Sequence, residues 1–255
     1  MRVIRPRPAA WLLVGLLVGT PSWAGAPAAK PLALTDPAGQ ALLFHSRARA
    51  DYLPLAETFL TQANLAYCGA ASAVMVLNSL ALPAPETPGY GPYRFWTQDN
   101  LFSAPAARAA VAPETVAKQG MTLAELAGLL AANGATVQRW HGDELSLPQF
   151  RGLLNDGLRD PADRLLVNYH RSALGQQGGG HISPLAAYDE RRDRVLILDV
   201  ARYRYPSVWV PTESLWQAIR MVDSSSGRSR GLLRVSAPAA APSPAPPPAT
   251  PRSGP

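Results

Sequence analysis

One cysteine, Cys68, in a chain of 255 residues excludes a disulfide framework within the chain and leaves thiol chemistry to one position. No spacing of histidine, cysteine or acidic residues matches a metal-ligand pattern, which speaks against a catalytic zinc. There is no internal repeat. The apolar run from Ala9 to Val18 falls short of the roughly 20 residues of a comfortable bilayer span. The net charge of +6 includes Arg2, Arg5 and Arg7 ahead of that run. Without them it is about +3, and no ground for a nucleic-acid partner remains.

The two ends read differently from the middle. Residues 1–26 carry a basic start, a short apolar core and the small residues Ala24-Gly25-Ala26, the pattern of a secretory signal peptide. The expectation is export, to a bacterial periplasm, with no stable membrane insertion after cleavage. No cysteine follows the cleavage site to take a lipid. Residues 237–255 are almost wholly Pro, Ala, Ser, Thr and Gly and predict a disordered tail. Residues 27–236 are left for one domain with a sizeable core.

Cys68 stands at a predicted helix start. After it Ala73, Val76, Leu77 and Leu80 fall at i, i+3, i+4 and i+7, the spacing of a helix with one buried face. Unpaired amides and the positive end of the dipole favour a thiolate there. Gln62, six residues upstream, can aim its amide at an oxygen beside the sulfur. A lone cysteine is commonly a small buried hydrophobe, or joins two subunits into a homodimer. This one follows polar, turn-prone residues, and an exported chain that keeps one unpaired thiol exposes it to oxidation.

Leu32–Phe44 reads as an edge strand or extended lead-in, and Pro54–Phe59 as a short helix. Leu82–Pro113, rich in Pro, Gly and aromatics, reads as an irregular lobe. Thr122 with Glu125 forms a capping box for a helix ended by Gly134, and Ser146, Pro148 and Gln149 open another. Ala135–Trp140 and Arg164–Tyr169 predict strands. His181–Tyr188 and Arg194–Val200 predict a hairpin about Asp189–Asp193, which sets His181 opposite Asp199 within about a residue.

A thiol, a histidine and a carboxylate that orients it make the arrangement of acyl transfer. Asp199 ends the apolar run Val195–Leu198, where a carboxylate without a partner is costly. His181, after Gly178-Gly179-Gly180, is the candidate base. His170 is its rival, and His45 and His141 read as loop residues. Arg171 or Arg202 could hold a substrate carboxylate by paired hydrogen bonds.

Thr61-Gln62 through Tyr67-Cys68-Gly69, Gly179-Gly180-His181-Ile182-Ser183-Pro184, and Leu198–Pro206 with Trp209 closely resemble the catalytic domain of the phytochelatin synthase family, over roughly residues 40–222. The resemblance implies an α+β, papain-like fold, a helical lobe bearing the cysteine and an antiparallel sheet lobe bearing histidine and aspartate. It implies Cys68 as nucleophile, His181 as acid and base, Asp199 as its orienter, and Gln62 with the Cys68 amide as oxyanion donors. Thr61, Tyr67, Arg171, Gly180, Arg202 and Tyr205 would line the substrate pocket. The implied substrate is glutathione: glycine leaves, and a γ-glutamylcysteinyl thioester is resolved by water or a second glutathione. No cofactor is required, and a heavy-metal ion could enter as a metal–glutathione thiolate substrate. Plant-type members carry a cysteine-rich C-terminal extension where this chain has a proline-rich tail, which ranks hydrolysis ahead of transpeptidation. The competing readings are a cysteine peptidase acting on another peptide and a non-catalytic periplasmic thiol or metal-binding protein.

Overall fold

A computed structural model describes residues 30–239. The expected signal peptide and all but the first three residues of the expected tail lie outside them. The chain enters through β1 (Leu32–Ala33), α1 (Pro37–His45) and α2 (Tyr52–Glu57), then α3 (Cys68–Ser79). After an irregular lobe come α4 (Pro105–Ala110), α5 (Pro113–Gln119) and α6 (Leu123–Ala132). The second half is β2 (Thr136–His141), α7 (Leu147–Gly157), β3 (Asp163–His170), β4 (Gly180–Asp189), β5 (Arg194–Ile197), β6 (Val208–Pro211) and α8 (Thr212–Arg220). The small hairpin β7 (Val222–Asp223) and β8 (Arg228–Ser229) leads into β9 (Gly231–Ser236).

Seven strands form one sheet in the order β1-β6-β5-β4-β3-β9-β2, each pair antiparallel. Alternation sorts its side chains to two cores. Leu166, Ile182 and Leu233 meet the helices α3 to α6, whereas Leu165, Val167 and Leu232 meet Phe150 and Leu154 of α7 and Leu215 and Ile219 of α8. The molecule is therefore an α+β layering about a sheet covered on both faces.

The capping boxes at Thr122/Glu125 and Ser146/Gln149 both form, and Gly134 takes the expected positive φ of 89°. Three expectations change. Most of Leu32–Phe44 is the helix α1, opened by Pro37 at its first position. Its Gly39 packs so tightly that a Cβ would lie 2.0 Å from the Ala33 carbonyl oxygen. The expected Pro54–Phe59 helix starts two residues earlier, at Tyr52. And α3 is buried from Gly69 to Leu77 on every side, because it runs between the sheet and the other helices instead of covering one face.

The β4–β5 hairpin also departs from simple pairing. Asp189 faces Arg194 and Ala187 faces Leu196, but Leu185 faces Ile197, so one extra residue, Ala186, bulges from β4. Both Ala186 and Ala187 face the helical core. Without the bulge Asp199 would fall opposite Pro184 and point away from His181. With it, the Leu198 amide bonds the Pro184 carbonyl at 3.0 Å. Asp199 then stands opposite Ser183, two residues from His181 and on the same face.

Candidate active site

Cys68 is the first residue of α3, and Tyr67 at the cap position supplies no side-chain bond. The first-turn amides are thus open to an anion at the sulfur. A turn precedes them, with the Ala66 amide on Asn64 Oδ1 at 2.9 Å. Ser72 Oγ, one turn further on, donates to the Ile182 carbonyl at 3.1 Å. That bond ties the cysteine-bearing helix to the histidine-bearing strand.

The buried His181 ring donates from Nε2 to Asp199 Oδ1 at 2.9 Å, which leaves Nδ1 for the thiol. Tyr169, directly across the ladder, sets its ring edge-on to the imidazole with centroids 5.7 Å apart. Burial pushes the Cys68 thiol up. The hydrogen bond and charge of His181, with the Ile182 and Gly69 amides, outweigh this and bring it below its ordinary 9.0. Burial likewise disfavours the imidazolium, yet Asp199 and Cys68 raise His181 above its ordinary 6.5. Desolvation opposes the Asp199 charge too, but His181 and Arg171 hold the carboxyl well below the usual carboxylate range. The two partners move in opposite senses, toward a thiolate–imidazolium pair.

His170, the rival base, bonds Ser172 Oγ at 2.8 Å and caps the turn Arg171–Leu174. His45 ends α1 and His141 ends β2, so neither is the loop residue expected. Among the described residues no group of three or more His, Cys, Asp or Glu is placed to hold a metal ion, and no helix is long and apolar enough to cross a membrane.

Of the expected substrate residues, Gly180 lines the cavity at Cys68, and the others lie outside its lining. Arg171 is buried with its fork on Asp199, Nη1 to Oδ2 at 2.8 Å and Nη2 to Oδ1 at 3.0 Å, so it is not free to hold a substrate carboxylate. Arg202 lies over the Phe59 ring at 4.6 Å, away from the cavity lining. The Tyr205 hydroxyl accepts from the Gln177 amide and donates to the Gln177 carbonyl, bracing the glycine loop. Thr61 offers its carbonyl to Gln98 at 3.1 Å. Tyr67 packs toward Phe102 with ring centroids 6.5 Å apart. Gln62 is tied by its backbone to Val200 at 3.0 Å and donates one amide hydrogen to the Asn64 carbonyl at 2.7 Å. Its buried Oε1 has no partner.

The cavity holds about 370 Å³ beside Cys68 and His181, and its wall includes Asn168, Asp223 and Arg230, which sequence reasoning missed. Arg230 donates to Asn168 Oδ1 at 2.8 Å and lies 3.5 Å from Asp223, while its buried Nε has no partner. Gly180 makes room for it: a Cβ there would lie 2.2 Å from Nη1. The only trace in the sequence was the glycine, since the pairing of Asn168 with Gly231 is what brings Arg230 alongside.

A helix-borne thiol facing a sheet-borne histidine whose far nitrogen is fixed by a buried carboxylate defines a cysteine–histidine–aspartate triad protein. The profile of the phytochelatin synthase family matches residues 28–232, and the chain belongs to that family of enzymes. It is 37% identical over 185 residues to glutathione gamma-glutamylcysteinyltransferase 3 of Lotus japonicus, covering 72% of this chain and 37% of that one. It is 35% identical to glutathione gamma-glutamylcysteinyltransferase 2 of Arabidopsis thaliana over 73% of this chain and 40% of that one. To the glutathione gamma-glutamylcysteinyltransferase of Schizosaccharomyces pombe it is 30% identical over 71% and 42%. The chain thus spans about two-fifths of the length of these relatives.

Proposed function

We propose that the chain transfers the γ-glutamylcysteinyl group of glutathione through a thioester on Cys68, on a papain-like division of helical and sheet lobes. His181 Nδ1 takes the thiol proton, and the thiolate attacks the carbonyl joining cysteine to glycine. The Cys68 amide and the second Gln62 hydrogen meet the developing oxyanion. The imidazolium then protonates the departing glycine nitrogen, leaving the thioester. Asp199 holds the ring and steadies its charge throughout. Water, activated by His181, is the first acceptor, and the cavity beside Cys68 gives it a route to the thioester. The amine of a second glutathione is the other.

The observation that carries this reading is the pairing of Arg230 and Asp223 in the wall beside the sulfur. A γ-linked glutamyl end presents a free α-carboxylate and a free α-ammonium together. In an ordinary peptide the α-carboxyl at that position is taken up in the amide bond, so the ammonium is not accompanied by a carboxylate on the same carbon. Arg230 suits the carboxylate by charge-assisted hydrogen bonds, and Asp223 suits the ammonium.

The test is glycine release from glutathione by the full chain, with the acyl intermediate on Cys68 trapped and weighed. Absence of release, or release undiminished in Cys68→Ala, removes the proposal. Equal cleavage of an α-linked Glu-Cys-Gly peptide transfers the site to the peptidases. Accumulation of γ-glutamylcysteine rather than longer peptides places water first. The N-terminal pattern supports export of the enzyme, checked by N-terminal sequencing of the chain from a periplasmic fraction.

A further inference from the structure

We propose that Arg171 is the positioning residue of this site, holding Asp199 in one orientation and balancing its charge so that Cys68 and His181 exchange a proton within a neutral buried cluster. Arg171 is 4% exposed and Asp199 fully buried. Both terminal guanidinium nitrogens, Nη1 and Nη2, are committed to the two carboxylate oxygens, and Oδ1 is the same atom that accepts from His181 Nε2.

Nothing about Arg171 is free to swing. Nη1 also donates to Gln176 Oε1 at 2.7 Å, and the guanidinium stacks on the Tyr205 ring at 4.6 Å. Its amide bonds the Gly179 carbonyl and its carbonyl receives the Gln176 amide, so the loop leading to His181 wraps around it. One side chain therefore fixes the carboxylate on one side and the approach of the catalytic strand on the other.

Counting charge shows what this does. With Arg171 and Asp199 ionised, thiol plus imidazole and thiolate plus imidazolium are both neutral overall, and the Cys68 proton moves to His181 Nδ1 with no change in the total. Without the guanidinium either state leaves one net negative charge in a desolvated site. The cluster then takes a proton from solvent, and the thiolate forms only at higher pH. The other groups facing the cluster do not substitute. Tyr169 from β3 carries no positive charge, Arg204 from the segment after β5 is exposed, and Arg230 stands across the cavity beside Asp223, not on Asp199. An isolated buried ion pair is weak evidence for stability; here the carboxylate is shared with the catalytic base.

The inference rests on Cys68 being the nucleophile, and its main test does not use glutathione. In the full-length chain the rate of Cys68 alkylation by iodoacetamide is measured against pH for the parent, Arg171→Met and Arg171→Lys, with folding checked by circular dichroism. The Met variant is expected to move the alkylation midpoint upward by about one pH unit or more. The Lys variant keeps the charge and the parental midpoint, but loses the fork. Its kcat for glycine release is expected to fall roughly a hundredfold with little change in KM. A folded Met variant with the parental midpoint overturns the proposal. So does a Lys variant whose midpoint moves like that expected for Met, or whose turnover is parental, and these decide the matter if the Met variant does not fold. A parent that releases no glycine defeats the glutathione reading alone, since the alkylation curves still judge Arg171.

Discussion

Replacing Asp199 by Asn leaves shape almost unchanged and removes one charge. Oδ1 accepts from His181, Arg171 Nη2 and the Ala201 amide, the last at 2.9 Å, so the new carbonyl oxygen belongs there. The amide nitrogen then takes the place of Oδ2 and confronts Arg171 Nη1, 2.8 Å away, donor against donor. A buried cation is left unpaired. Breaking such a pair costs about 3–5 kcal/mol, or roughly 6–20 °C in the melting temperature of a domain this size. Thermal unfolding at neutral pH, followed by circular dichroism, measures it. Asp199→Asn combined with Arg171→Met removes both partners, and the double variant is expected to melt well above the sum of the two single losses. A single variant within about 1 kcal/mol of the parent, or strictly additive losses, would refute the account of a desolvated pair.

Arg230→Met removes the cation from the cavity wall and should raise KM for glutathione by roughly 10–100-fold, the worth of a charge-assisted hydrogen bond, with a smaller effect on kcat. Steady-state kinetics decide it, and Gly180→Ala, whose methyl would displace the same guanidinium, should move KM in the same direction. For pH dependence, the thiol lies below 9.0 and the imidazole above 6.5. Glycine release should therefore rise through a thiol limb below pH 9.0 and fall through an imidazolium limb above pH 6.5. Loss of the acid limb in a kcat/KM profile would contradict this. Far from the site, burial raises the Asp51 carboxyl to about 8 against the pull of Arg164, and its Oδ2 is unpartnered. The folded state then keeps a proton that the unfolded chain releases above about pH 4, so this residue makes stability fall as pH rises from there to about 8. Asp51→Asn should flatten that fall in melts taken across the range, and an unchanged slope would count against it.

What could be read from the chain was what local chemistry decides. The two capping boxes need only residues three apart, and the strands of the hairpin announce themselves by burial and turn residues. Cys68 at a helix start rested on the same kind of signal. The closeness of His181 and Asp199 was anticipated from a regular hairpin, but the regular register would have sent Asp199 to the opposite face; nothing in Leu185-Ala186-Ala187-Tyr188 advertises the extra residue. Helix α1 was missed because its buried side depends on Gly39 meeting Ala33 in space. Arg171 read as a receptor for a substrate carboxylate, since its neighbours in sequence do not show the carboxylate it actually meets, 28 positions later. Asp223 and Arg230 reach the cavity wall only by where β9 docks against β3.

The bulged Ala186 and its neighbour Ala187 have no reactive group, and both are fully buried. Their contribution is arithmetic, an odd number where an even one would serve the sheet equally well. Exchanging either for another small apolar residue should therefore be forgiven, whereas excising one would leave a sound scaffold with its acid facing the wrong way. At this spot the length of the chain matters more than its letters, and a lesion too slight to unfold the protein would be enough to silence it.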